Sequence, residues 1–262
     1  MYPQIQIGQV ILGTYGLTMG LAFVCAWMLL EANLKRYNLS GRLAVPIVFL
    51  VAVAGIIGSK LFHVLEFPTT ALAHPVSRLF SSNGYAWFGG FLAAIIVLWL
   101  LSRYYNIPTM LLMDVMSPSA ALGYAIGRLG CLLAGDGDYG VATSLPWRMS
   151  FPKGLVPTAQ YVHPTPIYEC LAGLLFSYYL WRIAERGLPH GSILARYLLL
   201  TGTARFLVEF IRLNPRTILG LSNAQVASLL CVVVGLILFG YNSPALGRRT
   251  AVLTKGPTEE VP

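Results

Sequence analysis

Long apolar stretches recur along almost the whole chain and are separated by short polar connections. A stretch of ~20 mainly apolar residues is long enough to cross a bilayer as a helix. Seven stretches reach or approach that length, and we predict that each forms a transmembrane helix. The predicted spans are Val10–Leu30, Ala44–Val64, Ala86–Leu101, Met110–Leu133, Pro166–Trp181, Ser192–Phe210 and Ala224–Tyr241. The pattern therefore predicts an all-α, polytopic membrane protein with about seven transmembrane helices.

All of these stretches lie within residues 1–246, which we interpret as one transmembrane domain. Its longest connection, at about residues 134–165, is rich in Gly, Pro and aromatic residues, and this composition predicts an ordered interfacial loop. Residues 247–262 are polar, and we expect them to form a loose tail.

Lysine and arginine are distributed unevenly among the connections. Most of them lie in the first, third and fifth connections and in the tail, as Lys35, Arg36 and Arg182 do. Connections rich in Lys and Arg stay in the cytoplasm. We therefore predict that the N-terminus lies outside the cytoplasm, that the tail lies inside it, and that the long loop faces outward.

The composition narrows the class of protein further. Hydrophobic residues make up 56% of the chain and charged residues 11%, whereas soluble proteins carry ~25% charged residues. This balance leaves no room for a separate soluble domain. The net charge of +8 is carried mainly by the connections, so it indicates membrane orientation rather than nucleic-acid binding. The four cysteines are scattered without a CxxC pair, which argues against a disulfide framework or a zinc site.

A few charged residues lie inside the predicted spans, where each costs at least ~2.5–3.5 kcal/mol on insertion scales. Arg128 is near the outer end of the fourth span, and Glu169 begins the fifth. Arg205 and Glu209 are four residues apart and share one face of the sixth span. The predicted orientation brings all four toward the outer leaflet. A structural ion pair within one helix is the alternative interpretation of Arg205 and Glu209.

Three arginines, Arg128, Arg205 and Arg212, are expected to converge near one depth with only a few carboxylates. We therefore expect fixed positive charge there. The planar guanidinium group binds phosphate through paired hydrogen bonds, so the pattern predicts a site for a phospholipid headgroup. The Gly-Asp-Gly-Asp run at 135–138 lacks the spaced oxygen ligands of a calcium loop, and we predict no metal.

Four sequence blocks resemble those of one bacterial family, the prolipoprotein diacylglyceryl transferases. The blocks are GRLGCLLAGDGDYG, VHPTPIYE, RFLVEFIR and LGLSNAQVASL, and a Tyr-Gly pair occurs in the first span. They occur in the family's order and cover nearly the whole chain. The resemblance implies seven transmembrane helices in the bacterial inner membrane with an outward N-terminus, which agrees with the charge distribution.

The resemblance also implies a reaction. Members of the family move the diacylglyceryl group of phosphatidylglycerol to the thiol of the lipobox cysteine in a preprolipoprotein signal peptide, forming a thioether and releasing glycerol 1-phosphate. The expected partners are therefore phosphatidylglycerol, lipobox signal peptides and membrane lipids. The resemblance implies no cofactor.

Arg128 and Arg205 match the family's motif arginines, and we expect them to bind phosphate and to stabilise the thiolate. Glu209 and Asp136 stand where the family carries acidic residues, which are expected to orient those arginines. Tyr15 matches a tyrosine expected to hydrogen-bond the headgroup. The remaining expected substrate-binding residues belong to the same region: Gly130, Cys131, Gly140, His163, Tyr168, Glu169 and Arg212.

The chain departs from the family pattern at several positions. Phe88 replaces a histidine common at the start of the third helix, and Cys131 replaces a common asparagine. Asp136 stands where Glu is common, and Thr201 where tyrosine is usual. Arginine is a poor base because its pKa exceeds ~12. The acceptor of the thiol proton therefore stays open among His163, His74, a carboxylate and water.

Two other functions are compatible with parts of the pattern. A homologue that binds or transfers a different lipid is motivated by Phe88 and Cys131. A transporter or channel is disfavoured because the charges lie near one membrane face, and because the two halves show no matching pair of broken helices.

Overall fold

The computed structural model describes residues 3–66 and 87–242, and within these ranges it contains seven α-helices that coincide with the seven apolar stretches. The helices are α1 (Thr14–Arg36), α2 (Ala44–Glu66), α3 (Trp87–Tyr104), α4 (Thr109–Ala134), α5 (Thr165–Ile183), α6 (Ser192–Val208) and α7 (Asn223–Tyr241). His74, Ala86, the side chain of Phe88 and the predicted tail at 247–262 lie outside the described residues.

Four of the described helices are long and apolar enough to cross a bilayer. They are α1, α2 with the turn before it (residues 41–65), α4 and α7, while α3 includes a shorter apolar helix at residues 89–104. Large apolar side chains on these helices, such as Phe49 and Leu230, are more than half exposed. Exposed apolar side chains on long apolar helices are expected where lipid is the solvent. The chain is thus a mainly helical membrane protein, as the sequence predicted.

The first predicted span begins too early. Residues Val10–Gly13 form strand β2, which pairs with β1 (Gln4–Ile7) in an antiparallel hairpin. Gly8, with φ of 64°, lies in the turn, a conformation that glycine adopts without steric cost. Helix α1 begins only at Thr14, whose N–H and hydroxyl both donate to the carbonyl of Pro3. A short apolar run does not distinguish strand from helix by its periodicity.

The long connection between α4 and α5 is ordered. Strands β3 (Met149–Phe151) and β4 (Thr158–Val162) pair in it, and Ala142 bridges to Val162 on the other side of β4. Tyr139, Phe151 and Val162 form its small buried core. This packing gives the loop a fixed shape next to the end of α4.

The chain between α6 and α7 also departs from the predicted pattern. Helix α6 ends at Val208, and residues Glu209–Ile211 form a 3₁₀ turn rather than the end of the span. Strands β5 (Arg216–Ile218) and β6 (Leu221–Ser222) then form a hairpin. Ser222 caps α7 in a capping box with Gln225, which satisfies N–H groups at the helix start.

The described residues divide into two compact units, residues 3–29 with 114–242 and residues 30–66 with 87–113. In the first unit, α6 packs against α5 and α7, and Asp114 of α4 accepts the N–H groups of Gly191 (2.6 Å) and Leu194 (2.7 Å) at the start of α6. In the second unit, α2 packs on α3 where Gly58 meets Gly89, and a Cβ on either glycine would overlap the other's backbone.

Candidate active site

The buried carboxylate of Glu169 lies at the centre of a cluster of charged side chains. Glu169 belongs to the second turn of α5, and its side chain is 5% exposed. Arg205 Nη1 lies 2.7 Å from its Oε1, and Arg212 Nη1 lies 3.2 Å from its Oε2. Arg128 Nη2 also donates to Oε2, and the hydroxyl of Tyr124 donates to Oε1 at 2.6 Å. One carboxylate therefore holds guanidinium groups from three separate segments.

Two further carboxylates complete the cluster. Arg128 Nη1 and Arg212 Nη2 donate to the two different oxygens of Asp138. Glu209 Oε2 lies 3.1 Å from Arg205 Nη2, one helical turn away, and 3.6 Å from Arg212 Nε. The intrahelical pair foreseen from the spacing of Arg205 and Glu209 is thus present, and it is one part of a larger network.

The prediction of unpaired positive charge is wrong for the described structure. Each of the three guanidinium groups contacts at least two carboxylates. Buried ions need partners because desolvation costs several kcal/mol for each ion. The three arginines and three carboxylates balance in formal charge, so a phosphate ligand has to compete with these carboxylates for the guanidinium groups.

The three arginines differ in exposure, and this decides which of them a ligand can reach. The side chain of Arg205 is 27% exposed, that of Arg128 12% and that of Arg212 5%. Arg205 and Arg128 therefore keep an accessible edge, whereas Arg212 is enclosed by the carboxylates that it binds.

The structure corrects the role expected of Asp136. Among the described residues no ion pair joins Asp136 to an arginine, and Asp138 makes the contacts to Arg128 and Arg212 instead. Burial acts to raise the pKa of Asp138, but the two guanidinium groups outweigh it and hold that pKa below its usual value. Burial and the nearby charge of Asp138 both raise the pKa of Asp136.

Cys131 lies beside the cluster on α4. Its Sγ is 3.4 Å from Nη1 of Arg128 and lies within 4.8 Å of a carboxylate oxygen of Asp136. The same carboxylate accepts the backbone N–H of Asp138 at 3.2 Å.

Tyr15 and Gly130 mark the place where α1 meets α4. A Cβ at Gly130 would overlap the hydroxyl of Thr18 and would lie 3.3 Å from the ring of Tyr15, so the two helices require glycine here. Tyr15 is 43% exposed. It therefore lies close to the charged cluster with part of its ring accessible.

Gly140 is where the loop after α4 crosses the segment after α6. Its N–H donates to the carbonyl of His163 at 2.9 Å, and it forms a β-bridge with Arg212. A Cβ at Gly140 would lie 2.6 Å from the carbonyl oxygen of Ile211 and 3.0 Å from Cβ of His163. This close crossing fixes the backbone that carries Arg212.

His163 and Tyr168 lie near the cluster without contacting its arginines. The hydroxyl of Tyr168 accepts the indole N–H of Trp147 at 2.8 Å and lies 3.2 Å from Nδ1 of His163. Thr165, in the same sequence block, donates its hydroxyl proton to the carbonyl of Asp138. The HPT-x-x-YE block therefore shapes the site, and Glu169 alone among its side chains binds the arginines in the described structure.

Sequence reasoning missed three side chains that bind the central carboxylates. Tyr124 donates to Glu169, and its position one helical turn before Arg128 is a signal that could have identified it. Asn214 Nδ2 and Ser222 Oγ donate to Glu209 Oε1 at 2.5 and 2.8 Å. No spacing rule connects these two residues to Glu209, because Asn214 follows the 3₁₀ turn in an irregular segment and Ser222 is brought back by the hairpin of β5 and β6.

One group of side chains has the composition of a cation site. Ligand atoms of Cys131, Asp136 and Asp138 lie within 4.8 Å of one another. Asp138 is already bonded by two guanidinium groups, and Arg128 also contacts the sulfur. The positive charge of the arginines that contact Asp138 and Cys131 disfavours binding of a metal cation, so we assign no metal here.

The fold and this site define a class, that of helical membrane proteins with a buried arginine–carboxylate cluster beside an ordered loop. The chain belongs to the prolipoprotein diacylglyceryl transferase family, whose model matches residues 4–241. This result confirms the resemblance noted in the motifs.

The chain is similar to curated proteins named phosphatidylglycerol–prolipoprotein diacylglyceryl transferase. One from Leptospira interrogans is 34% identical over 227 residues, which cover 77% of this chain and 71% of the relative. One from Dehalococcoides mccartyi is 32% identical over 238 residues, 90% of this chain and 91% of the relative. One from Clostridium tetani is 29% identical over 229 residues, which cover 86% of this chain and 91% of the relative.

Proposed function

We propose that this protein transfers the diacylglyceryl group of phosphatidylglycerol to the cysteine thiol of a prolipoprotein, forming a thioether and releasing glycerol 1-phosphate. The observation that carries the proposal is the buried cluster in which Glu169 holds Arg128, Arg205 and Arg212 together. Its support from similarity is that relatives covering most of the chain bear the name of this activity.

The chemistry assigns different work to the three arginines. The phosphate ester must carry growing negative charge as its C–O bond breaks, and prearranged donors stabilise such charge. Arg205 and Arg128 have exposed edges, so we assign phosphate binding and stabilisation of the thiolate to them. Arg212 is enclosed, and its role is to position Asp138 and Glu169.

The carboxylates hold the guanidinium groups in one geometry before substrate binds. Glu169 and Glu209 bind Arg205 from two sides, at 2.7 and 3.1 Å. A group held in place in advance need not be reorganised during the reaction. When a phosphate binds, it shares these guanidinium donors with the carboxylates. Tyr15, at the accessible side near Gly130, is placed to hydrogen-bond the glycerol headgroup.

The membrane arrangement that fits this role has seven spans in the bacterial inner membrane, an outward N-terminus and a cytoplasmic C-terminus. Four described helices support it by length and apolarity, and the excess of Lys and Arg in alternate connections supports the orientation. The site then lies at the outer leaflet, where the lipobox cysteine of a signal peptide can meet a lipid headgroup.

The direct test uses the full-length protein purified in detergent, phosphatidylglycerol labelled in its acyl chains, and a lipobox peptide. We expect a peptide product whose mass increases by the diacylglyceryl group, together with released glycerol 1-phosphate. A parallel reaction uses a phospholipid with a different headgroup. Transfer only from that second lipid supports the alternative of a changed substrate. An absence of thioether product from either lipid contradicts the proposed function.

A further inference from the structure

The carboxylates around the arginine cluster are not equivalent. Asp138, Glu169 and Glu209 are each bound to two or three guanidinium groups. Asp136, by contrast, forms no ion pair with an arginine within residues 3–66 and 87–242. It is half-buried, and its Oδ1 accepts the backbone N–H of Asp138. A carboxylate has about four lone-pair sites. Asp136 thus keeps acceptor capacity, and no guanidinium group of the described residues neutralises its charge, whereas Glu169 already accepts four hydrogen bonds.

Cys131 shows which groups surround a sulfur atom beside Arg128. Arg128 Nη1 points to Sγ of Cys131 at 3.4 Å, and a carboxylate oxygen of Asp136 lies within 4.8 Å of the same sulfur. A guanidinium group at the sulfur and a carboxylate at the proton are the two groups that convert a thiol into a thiolate. Both groups lie beside Arg128, where the proposed reaction needs the substrate thiol to ionise.

We propose that Asp136 accepts the proton of the substrate cysteine, an inference that rests on the proposed transfer. The S–H bond breaks, and its proton goes to a carboxylate oxygen of Asp136. The thiolate attacks the glyceryl carbon that bears the phosphate, so a C–S bond forms as the C–O bond breaks. The electron pair of that C–O bond stays on the phosphate oxygen. The proton then leaves Asp136 for the released phosphate or water, which restores the carboxylate.

The other groups near the site are less suited to this task. Two guanidinium groups keep the pKa of Asp138 low. Glu169 already accepts four hydrogen bonds, and Glu209 is ion-paired with Arg205 and Arg212 and has a side chain that is only 1% exposed. An indole N–H only donates, so the hydroxyl of Tyr168, which accepts it, can direct its own proton to Nδ1 of His163. One ring nitrogen of His163 is thus engaged by Tyr168, which makes His163 less available to a substrate thiol.

The surroundings of Asp136 also favour proton uptake. Burial and the charge of Asp138 raise its pKa, which narrows the gap to the ~8.5 of a free thiol. The titratable and charged groups that face it come from α1, α4 and the loop: Tyr15, Arg128, Cys131, Asp138 and Tyr139.

The test compares two lipobox peptides, one with the natural cysteine and one with selenocysteine in its place. A selenol is already ionised at neutral pH, so it needs no base. In full-length Asp136→Asn we expect transfer to the cysteine peptide to fall about 10²–10⁴-fold at pH 7. Transfer to the selenocysteine peptide should stay comparable to that of the wild type. The residual rate on cysteine should rise about tenfold per pH unit up to the thiol pKa of ~8.5.

Asp138→Asn is the matched control, because it removes a carboxylate two residues away that positions Arg128 and Arg212. Asp138→Asn should slow transfer to both peptides to the same extent. The two peptides are also compared with Asp136→Ser, a second variant that lacks the carboxylate. Thermal unfolding of each variant shows whether the protein is folded. Asp136→Glu, which keeps a carboxylate, should retain transfer to both peptides.

The inference is overturned if Asp136→Asn transfers the diacylglyceryl group to the cysteine peptide at the wild-type rate. It is also overturned if transfer to the cysteine and selenocysteine peptides falls to the same extent. These outcomes are distinct from a failure of the proposed function. In that case the wild-type protein forms no thioether with either peptide, and both proposals fall together.

Discussion

Arg205 Nη1 lies 2.7 Å from Glu169 Oε1, a contact that joins the last turn of α6 to the buried second turn of α5. The same carboxylate binds Arg128 from α4 and Arg212 from the segment after α6. A charge buried among three guanidinium groups is stable only while all of its partners remain. The site is therefore also part of what holds these helices together.

Replacing Glu169 by glutamine should destabilise the protein as well as inactivate it. Three guanidinium groups would then share two carboxylates, and breaking a buried ion pair typically costs about 3–5 kcal/mol. Thermal unfolding in detergent measures this loss. The control is Glu185→Gln, because Glu185 pairs with Arg182 at 3.5 Å where both are well exposed. Exposed pairs contribute about 0–1 kcal/mol, so equal effects of the two substitutions would contradict a central role for Glu169.

Replacing Arg128 or Arg205 by lysine should abolish most of the transfer while the protein still inserts in the membrane. Lysine keeps the charge but loses the planar fork that binds two acceptors at once. Removing a preorganised donor of this kind typically costs about 10²–10³-fold in rate. The product assay with phosphatidylglycerol and a lipobox peptide measures the change.

The control for the arginine variants is Arg148→Lys, in the loop, where the guanidinium group stacks on the ring of Tyr161 at 4.6 Å. Arg148 is exposed and makes no ion pair with the cluster in the described structure. Its replacement should leave the rate unchanged. Full activity of both Arg128→Lys and Arg205→Lys would disprove the site assignment.

Gly140→Ala should reduce transfer by displacing Arg212. The added methyl group would lie 2.6 Å from the carbonyl of Ile211, and neither backbone can move without breaking the bridge to Arg212. We expect a lower unfolding temperature and a lower rate. In the control Gly240→Ala, the new Cβ meets no heavy atom of the described residues within 4 Å. A normal rate for Gly140→Ala would show that the crossing can adjust.

Asp138 should make stability depend on pH in the acid range. Its folded pKa lies below its usual value, so the ionised form stabilises the folded state above the unfolded pKa of ~3.9. That contribution is lost as the pH falls through the lower, folded pKa. The difference in unfolding temperature between wild type and Asp138→Asn should therefore be constant above about pH 5 and shrink below ~4. A difference that grows toward acid pH would contradict this assignment.

The helices could be predicted well from the chain because length and apolarity carry the signal. Each of the seven apolar stretches overlaps one described helix, and the starts of α2 at Ala44 and of α6 at Ser192 agree with prediction. The errors occur where local sequence is ambiguous. Residues Val10–Gly13 were predicted to be helical, but they form a strand that pairs with β1. Glu209 was predicted to lie in the sixth helix, but it begins a 3₁₀ turn. Pairing with β1 decided the first case, and in the second the 3₁₀ turn leads directly to Arg212, which forms a β-bridge with Gly140.

The site could be predicted only in part. The cost of charge in lipid identified Arg128, Arg205, Glu169 and Glu209, and the structure brings all four into one network. The balance of charge was not predictable, because it depends on which carboxylates from distant segments reach the arginines. For example, Asp136 was expected to orient the arginines, but in the described structure Asp138 makes the contacts to Arg128 and Arg212.

By itself the sequence determined that this is a helical membrane protein of the prolipoprotein diacylglyceryl transferase family, because apolar length and motif order are properties of the linear chain. Only the tertiary structure decided how Asp136 and Asp138 differ. They are two residues apart and chemically identical, yet Asp138 binds two arginines, while Asp136 pairs with none in the described structure and lies beside the sulfur of Cys131. Ion pairing falls off over a few ångströms, and those distances are set by the packing of helices that are far apart in the chain.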